Sequence, residues 1–318
     1  MQLFIGSVRI PISSVLTILT GGTVDNEAWS NIVIESRLPG ALAAMLAGAG
    51  LSVSGLQMQT LFRNPVAGPY VLGISAGASL GVALYLMGAA ALSSYSLFHL
   101  LSGWGIIISA SLGAFVIFVV SSVLTFRIRD VVAVLIIGLM LGGGISAFIE
   151  ILQSFSGNEA LKHYVLWTFG SFRYVDITQV AYLAGAVMIG IFLSLAVSKQ
   201  LNLLLLGEIY AAGLGVPINL IKYLVVFCTS LLAGCVTAFC GPIGFVGLAV
   251  PHIVRRLFNT YNHNILTPAC ALMGAVICCL CNILASVPGT EIALPINAVT
   301  SLFGAPVVIW IIMKYKKG

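Results

Sequence analysis

The side chains that could do chemistry are few, and their spacing is wrong for most of it. Seven cysteines stand at 228, 235, 240, 270, 278, 279 and 281, all in apolar stretches. No CxxC pair or nearby histidine gives them the four-ligand spacing of a zinc site, so Cys278, Cys279 and Cys281 read as small apolar residues between packed helices. His99, His163, His252 and His263 include no pair four residues apart and no flanking acid, which argues against a metal-assisted hydrolase. No lysine is preceded by glycine and followed by serine or threonine, so the chain has no phosphate-cradling loop and is not expected to hydrolyse ATP alone. Glu150 is the one carboxylate within an apolar run, and it falls within a turn of that run's end, where water can reach it. Catalytic residues, metal ligands and a bound cofactor are therefore not expected. A proton- or sodium-driven carrier would show several buried acids or histidines at mid-membrane, and their scarcity disfavours that class too.

The elements that carry these residues belong in a bilayer. Of 318 residues, 60% are apolar and only 7% are charged, against about 25% charged in an average soluble domain. So little polar side chain could not cover a water-soluble surface, and the surrounding solvent must itself be apolar. The formal charge of +5 is too sparse for a nucleic-acid stripe. A hydrocarbon core about 30 Å thick needs about 20 helical residues per crossing. Nine runs qualify, near 38–58, 70–91, 104–126, 131–153, 177–198, 219–240, 242–258, 267–286 and 294–313, the seventh short and holding Pro251. Residues 1–20 are interrupted by Arg9 and Pro11 and are expected at an interface.

Lys and Arg in short loops stay on the cytoplasmic side. Threading the nine spans puts Arg63, Arg127, Arg129, Lys199, Lys222, Arg255, Arg256, Lys314, Lys316 and Lys317 on one side, and Arg9, Arg37, Lys162 and Arg173 on the other. The first side is the cytoplasm, with the C-terminus inside and 1–36 outside. Gly73, Gly77 and Gly81, and Gly138 with Gly142, have the small-xxx-small spacing that lets helices approach closely. Residues 199–220, KQLNLLLLGEIYAAGLGVPINL, are half apolar but broken by Gly207, Gly213, Gly215 and Pro217. Such a segment suits either the groove of a soluble partner or the lipid surface.

The blocks RLPGALAAMLAGAGLSVSGLQMQTLFRNPVAGPYVLGISAGASLG (37–81) and GPIGFVGLAVPHIVRRLF (241–258) closely resemble the FecCD/BtuC-type permease subunits of bacterial ABC importers for iron-siderophores, haem and cobalamin. LWTFGSF (166–172), LGEIYAAGLGVP (206–217) and LPINAVTSLFGAPVVIWIIMK (294–314) extend the likeness over nearly the whole chain. The resemblance implies an all-α integral membrane protein: one polytopic helix bundle, a single permease domain over 1–318, in the bacterial inner membrane. The family has ten helices, so nine visible spans suggest that a first helix belongs ahead of LFIGSVRIPISSVLTIL. Implied partners are a second copy of the chain, two cytoplasmic P-loop ATPase subunits that bind the ATP and magnesium, and a periplasmic substrate-binding protein.

Residue by residue, the family's ATPase-docking loop falls on 203–220, with Leu206, Gly207, Glu208, Ala211, Leu214 and Gly215 as its matched positions. Arg37 matches a periplasmic arginine that meets the binding protein. The other two arginines of that scheme are Gly40 and Ser286 here, while Ala212 and Asn297 replace a usual Arg and a usual Gly. Asp130 and Val131 fall at the cytoplasmic gate, and Gly142, Gly143 and Gly144 are expected along the path. An ion-coupled carrier of similar fold is the second reading and a membrane enzyme acting on a lipid-soluble substrate the third.

Overall fold

The computed structural model describes residues 8, 10–24, 26–88, 104–128, 131–286 and 294–315. In chain order the helices are α1 (Ile12–Leu19), α2 (Glu27–Asn31), α3 (Leu38–Leu61), α4 (Ile74–Ala83), α5 (Trp104–Arg127), α6 (Val131–Ser154), α7 (Asn158–Thr168), α8 (Ile177–Ala196), α9 (Ser198–Leu205), α10 (Glu208–Gly213), α11 (Ile218–Cys240), α12 (Val246–Phe258), α13 (His263–Ala285) and α14 (Ile296–Tyr315). Among the described residues, six helical stretches are long and apolar enough to cross a membrane: Glu27–Leu61, Trp104–Leu124, Val132–Ser154, Ile177–Ala196, Ile218–Cys240 and His263–Ala285. The other three expected runs are helical but shorter, at Ile74–Gly88, Val246–Phe258 and Ile296–Ile309.

Several boundaries differ from the sequence expectation, each for a local reason. The first span starts earlier, because α2 runs through a π-helical turn at Ile32–Arg37 into α3. Pro39 lacks an N–H and would press on the carbonyl four residues back, and the widened turn accommodates it. The run at 70–91 is not one helix. A 3₁₀ turn at Pro69–Leu72 ends at Gly73, whose φ of +75° precedes α4. Gly73 therefore leaves the expected three-glycine stripe. A Cβ on Gly77 or Gly81 would strike the backbone of α5 at Gly113 or Ser109, whereas Gly73 caps the helix. The second seam is also halved: Gly138 packs on the Val71 carbonyl, but a Cβ on Gly142 would meet nothing within 4 Å. Residues 158–168, between two of the expected spans, form α7.

At the centre lies α3, buried from Gly50 through Leu61 and packed by α8, α11, α12 and α13. Its contact with α13 is antiparallel. A Cβ on Gly48 would land on the Gly274 carbonyl, and the Ser52 hydroxyl donates to the Cys270 carbonyl at 2.7 Å. Against α12 the approach is as tight, since a Cβ on Gly55 would fall on Gly247. Without a hydrophobic force between helices in lipid, such dispersion contacts and interhelical hydrogen bonds hold the bundle.

The chain is unwound between α11 and α12, and its backbone groups are answered by side chains. The Tyr70 hydroxyl donates to the Ile243 carbonyl at 2.6 Å, and the Gly244 N–H donates to Asn297 Oδ1 at 3.0 Å. Irregular backbone in a membrane is tolerated only when protein or water satisfies it. Asn297, a departure from the family pattern, thus has a structural task here.

These contacts predict opposite effects for two glycine substitutions. Gly55→Val forces a branched side chain into the Gly247 backbone and should cost at least about 1–3 kcal/mol as overpacking. Gly143→Ala meets nothing within 4 Å and should be neutral, or stabilising by up to about 1 kcal/mol from helix propensity. Thermal unfolding of the detergent-purified protein checks both; equal Tm values for the two variants would contradict the packing.

Candidate functional site

Two short helices make up the segment matched to ATPase docking, and its two matched glycines bracket the second. Gly207 adopts φ +125° between α9 and α10, a conformation costly for any side chain. Gly215, at φ +83°, closes α10: its N–H donates to the Ala212 carbonyl at 3.0 Å and the Val216 N–H to the Ala211 carbonyl at 3.0 Å. That pair of bonds is a Schellman ending. Pro217 follows and caps α11, whose first residues complete the segment.

Within this frame the matched residues face different ways. Ala211 is fully buried and packs inward, so it shapes the loop without offering a contact surface. Leu206, Tyr210 and Leu214 are exposed, and Ile209 is 91% exposed. Ile209 and Tyr210 were not singled out by sequence; the signal that could have found them is an apolar pair opposite Ala211 on a short helix. Glu208 turns back toward the bundle, where both carboxylate oxygens lie 2.8 Å from Lys222 Nζ on α11. The arginines of this end are also engaged. Arg63 Nη2 donates to the Leu204 carbonyl at 3.0 Å and Arg255 Nη1 to Gln59 Oε1 at 2.6 Å.

Arg37 sits at the opposite end of α3, at the close of the π-helical turn. It is partly buried, and its Nη2 donates to the Val8 carbonyl. Gly40 is buried nearby, where a Cβ would lie 3.0 Å from the Phe172 carbonyl. Ser286 caps the end of α13.

Asp130 lies outside the described residues, and Val131 opens α6. That helix is the least covered of the six long apolar stretches. Val132, Ile136, Leu139, Met140, Phe148 and Ile151 are all exposed, and Gly142, Gly143 and Gly144 leave open space where a Cβ would be. A groove of about 450 Å³ runs between α4 and α6, lined by Leu80, Ile137, Met140, Leu141, Gly144, Ile145 and Phe148. No charged group lines it. Glu150 is exposed near the end of α6. The cysteines are free thiols in or beside the packed core, and no group of three potential metal ligands forms among the described residues.

A model of the FecCD transport family matches residues 1–314. The vitamin B12 import system permease protein BtuC of Salmonella typhi is 36% identical over 283 residues, covering 89% of this chain and 83% of that protein. BtuC of Salmonella newport (strain SL254) gives the same identity and coverage. Among solved structures, an inward-facing conformation of a metal-chelate type ABC transporter superposes with a TM-score of 0.85 at 29% identity, over 98% of this chain and 94% of the other. PsaBC from Streptococcus pneumoniae, in complex with Fab, shares the fold alone, with a TM-score of 0.55 at 15% identity over 86% of this chain and 90% of that one.

The Glu208–Lys222 pair is partly solvated, with Glu208 37% and Lys222 14% exposed in their side chains. Exposed ion pairs contribute about 0–1 kcal/mol. A double-mutant cycle on Glu208→Gln and Lys222→Met, read by thermal unfolding, should therefore return a coupling below about 1 kcal/mol. A larger coupling would make the pair a structural anchor of the bundle.

Proposed function

The chain belongs to the FecCD transport family, and from that membership we propose that it is the permease subunit of an ATP-driven importer of a bulky metal chelate. It spans the bacterial inner membrane many times, with its C-terminus in the cytoplasm, and contributes no catalytic group. It pairs with a second permease copy and binds two cytoplasmic P-loop ATPase subunits. A periplasmic binding protein delivers the cargo at the far end, with Arg37 among its contacts. Because one Arg37 nitrogen is held by Val8, that arginine helps set register and encounter more than affinity.

The observation that carries the reading is the surface of 203–220. A loop end that exposes Leu206, Ile209, Tyr210 and Leu214, beside Arg63 and the Glu208–Lys222 pair, has the apolar core and charged rim of a protein-binding patch. A lipid-lying helix would be held by a row of basic residues along its polar face, and α10 has none. ATP binding draws the ATPase subunits together, their motion moves this segment, and packed helices at the dimer interface rock between outward and inward openings.

Cargo follows from the path and the relatives. The uncharged groove and open glycines of α6 suit a large chelate held by shape and released without tight binding. Relatives named for vitamin B12 import and a structural neighbour of metal-chelate type support cobalamin as the first compound to test, with ferric siderophore and haem beside it.

Reconstitution in proteoliposomes with its partner P-loop ATPase should give ATP-dependent uptake of one of these three chelates. Uptake driven by a pH or sodium gradient without the ATPase would replace this reading with the ion-coupled carrier. Ile209→Arg should weaken ATPase association by about tenfold or more, as expected for a buried apolar anchor at an interface. Undiminished binding of that variant in a pull-down would remove α10 from the interface.

A further inference from the structure

The end of α3 is tied through side chains to two other elements of the same end, α13 and α9. Thr60 Oγ1 lies 2.8 Å from His263 Nε2 at the start of α13, and His263 Nδ1 lies 2.8 Å from Asn202 Oδ1 in α9. The backbone N–H of His263 also donates to that Oδ1 at 2.8 Å. Asn202 Nδ2 donates to Asn262 Oδ1 at 2.9 Å, which in turn accepts from the Asn264 N–H at 3.0 Å. Arg63, just past the end of α3, closes the figure by donating to the Leu204 carbonyl in the last turn of α9.

The proton directions in this network follow from its backbone donors. Two main-chain N–H groups, of Asn264 and His263, can only donate, which makes Asn262 Oδ1 and Asn202 Oδ1 acceptors and fixes both amide orientations. His263 must then carry its proton on Nδ1 to meet Asn202. Its Nε2 is left to the Thr60 hydroxyl, whose other acceptor within reach is the Leu56 carbonyl at 2.9 Å. His263 is 1% exposed, so each of these bonds replaces one that water cannot supply.

The network does not touch the exposed face of α10, yet it fastens the helix immediately before it to the central helix at two points. From this geometry we infer that Asn202, His263 and Thr60 form the joint that converts movement of the docking segment into movement of α3 and α13. They are positioning residues, and the inference rests on the importer reading above. A force applied at Ile209 reaches α9 across the two-residue junction of Leu206 and Gly207. Within α9 it meets a triangle of hydrogen bonds, of which the Thr60–His263 side is buried and the His263–Asn202 and Arg63–Leu204 sides are partly so. The other connection of the segment, Glu208 to Lys222, is partly solvated and leads to α11 instead.

The test separates transmission from attachment. Thr60→Val, which replaces a hydroxyl by a methyl of similar size, and Asn202→Leu are each assembled with the partner ATPase and binding protein in proteoliposomes. ATPase binding and cargo transported per ATP hydrolysed are then measured. Both variants are expected to hold the ATPase as the wild type does, while transport per ATP falls about fivefold or more. Asn202→Asp, which keeps the acceptor that faces His263, should restore most of the ratio, a rescue that a general packing defect would not show. Unchanged transport per ATP in Thr60→Val and Asn202→Leu overturns the inference. So does loss of assembly in both, because the network would then only build the fold. Failure of the importer reading looks different: the wild-type chain would itself bind no ATPase.

Discussion

Hydrocarbon offers no hydrogen-bond partner, and the architecture depends on how one central helix meets that condition. Ser52, Ser54, Gln57, Gln59 and Thr60 of α3 are all buried. Left unanswered, each would cost about 1–3 kcal/mol. Instead Ser52 reaches α13, Gln57 Nε2 donates to Ser194 Oγ on α8 at 2.8 Å, and Gln57 Oε1 accepts from Thr229 on α11 at 3.3 Å. Gln59 Nε2 donates to the Leu248 carbonyl on α12 at 3.2 Å, and Thr60 meets α13. Glycines at Gly48 and Gly55 let the backbones come close enough for these short side chains to span the gap. Small residues and polar residues are thus one device: neither would work in lipid without the other.

Much of this bundle was legible because hydrophobicity over 20 residues is a strong signal. All nine apolar runs contain helix. The family blocks were legible too, since they are local words of fixed spacing. What the sequence did not reveal were the pairings. A buried glutamine in an apolar run looks the same whether it lines a pathway or bonds a neighbouring helix, and the partners of Gln57 lie 137 and 172 residues away. The same holds for glycine. The four-residue spacing of Gly138 and Gly142 is identical in sequence, yet one is pressed on Val71 and the other faces open space. Spacing defines a face; only tertiary contact says what covers it.

In the segment matched to ATPase docking, the matched residues differ in what they can offer a partner. Gly207 and Gly215 are needed for backbone conformations that a side chain resists, so their positions carry the shape of α10. Glu208 is spent within the molecule on Lys222, and Ala211 is sealed inside. The surface left for a partner consists of residues that a motif read by identity would pass over, Ile209 above all. Exposure of this kind belongs to the folded chain, because it depends on which side of a six-residue helix the bundle takes.

Rigidity is distributed unevenly, and the unevenness has a direction. Around α3 the approaches of α12 and α13 are backbone-close, and α8, α11, α12 and α13 are all bonded to it through side chains, so the five tend to move as one. α6 differs: it touches α4 and the 3₁₀ turn through Gly138 but exposes most of its length. A packed block of this sort deforms little, whereas a helix held along one edge can shift by small rotations at modest cost. An input at α9 therefore enters the stiff part of the molecule, and the compliant part lies across it at the uncharged groove. In a transporter that must open alternately to two sides, that order lets a displacement at the membrane surface arrive at the pathway without being absorbed between them.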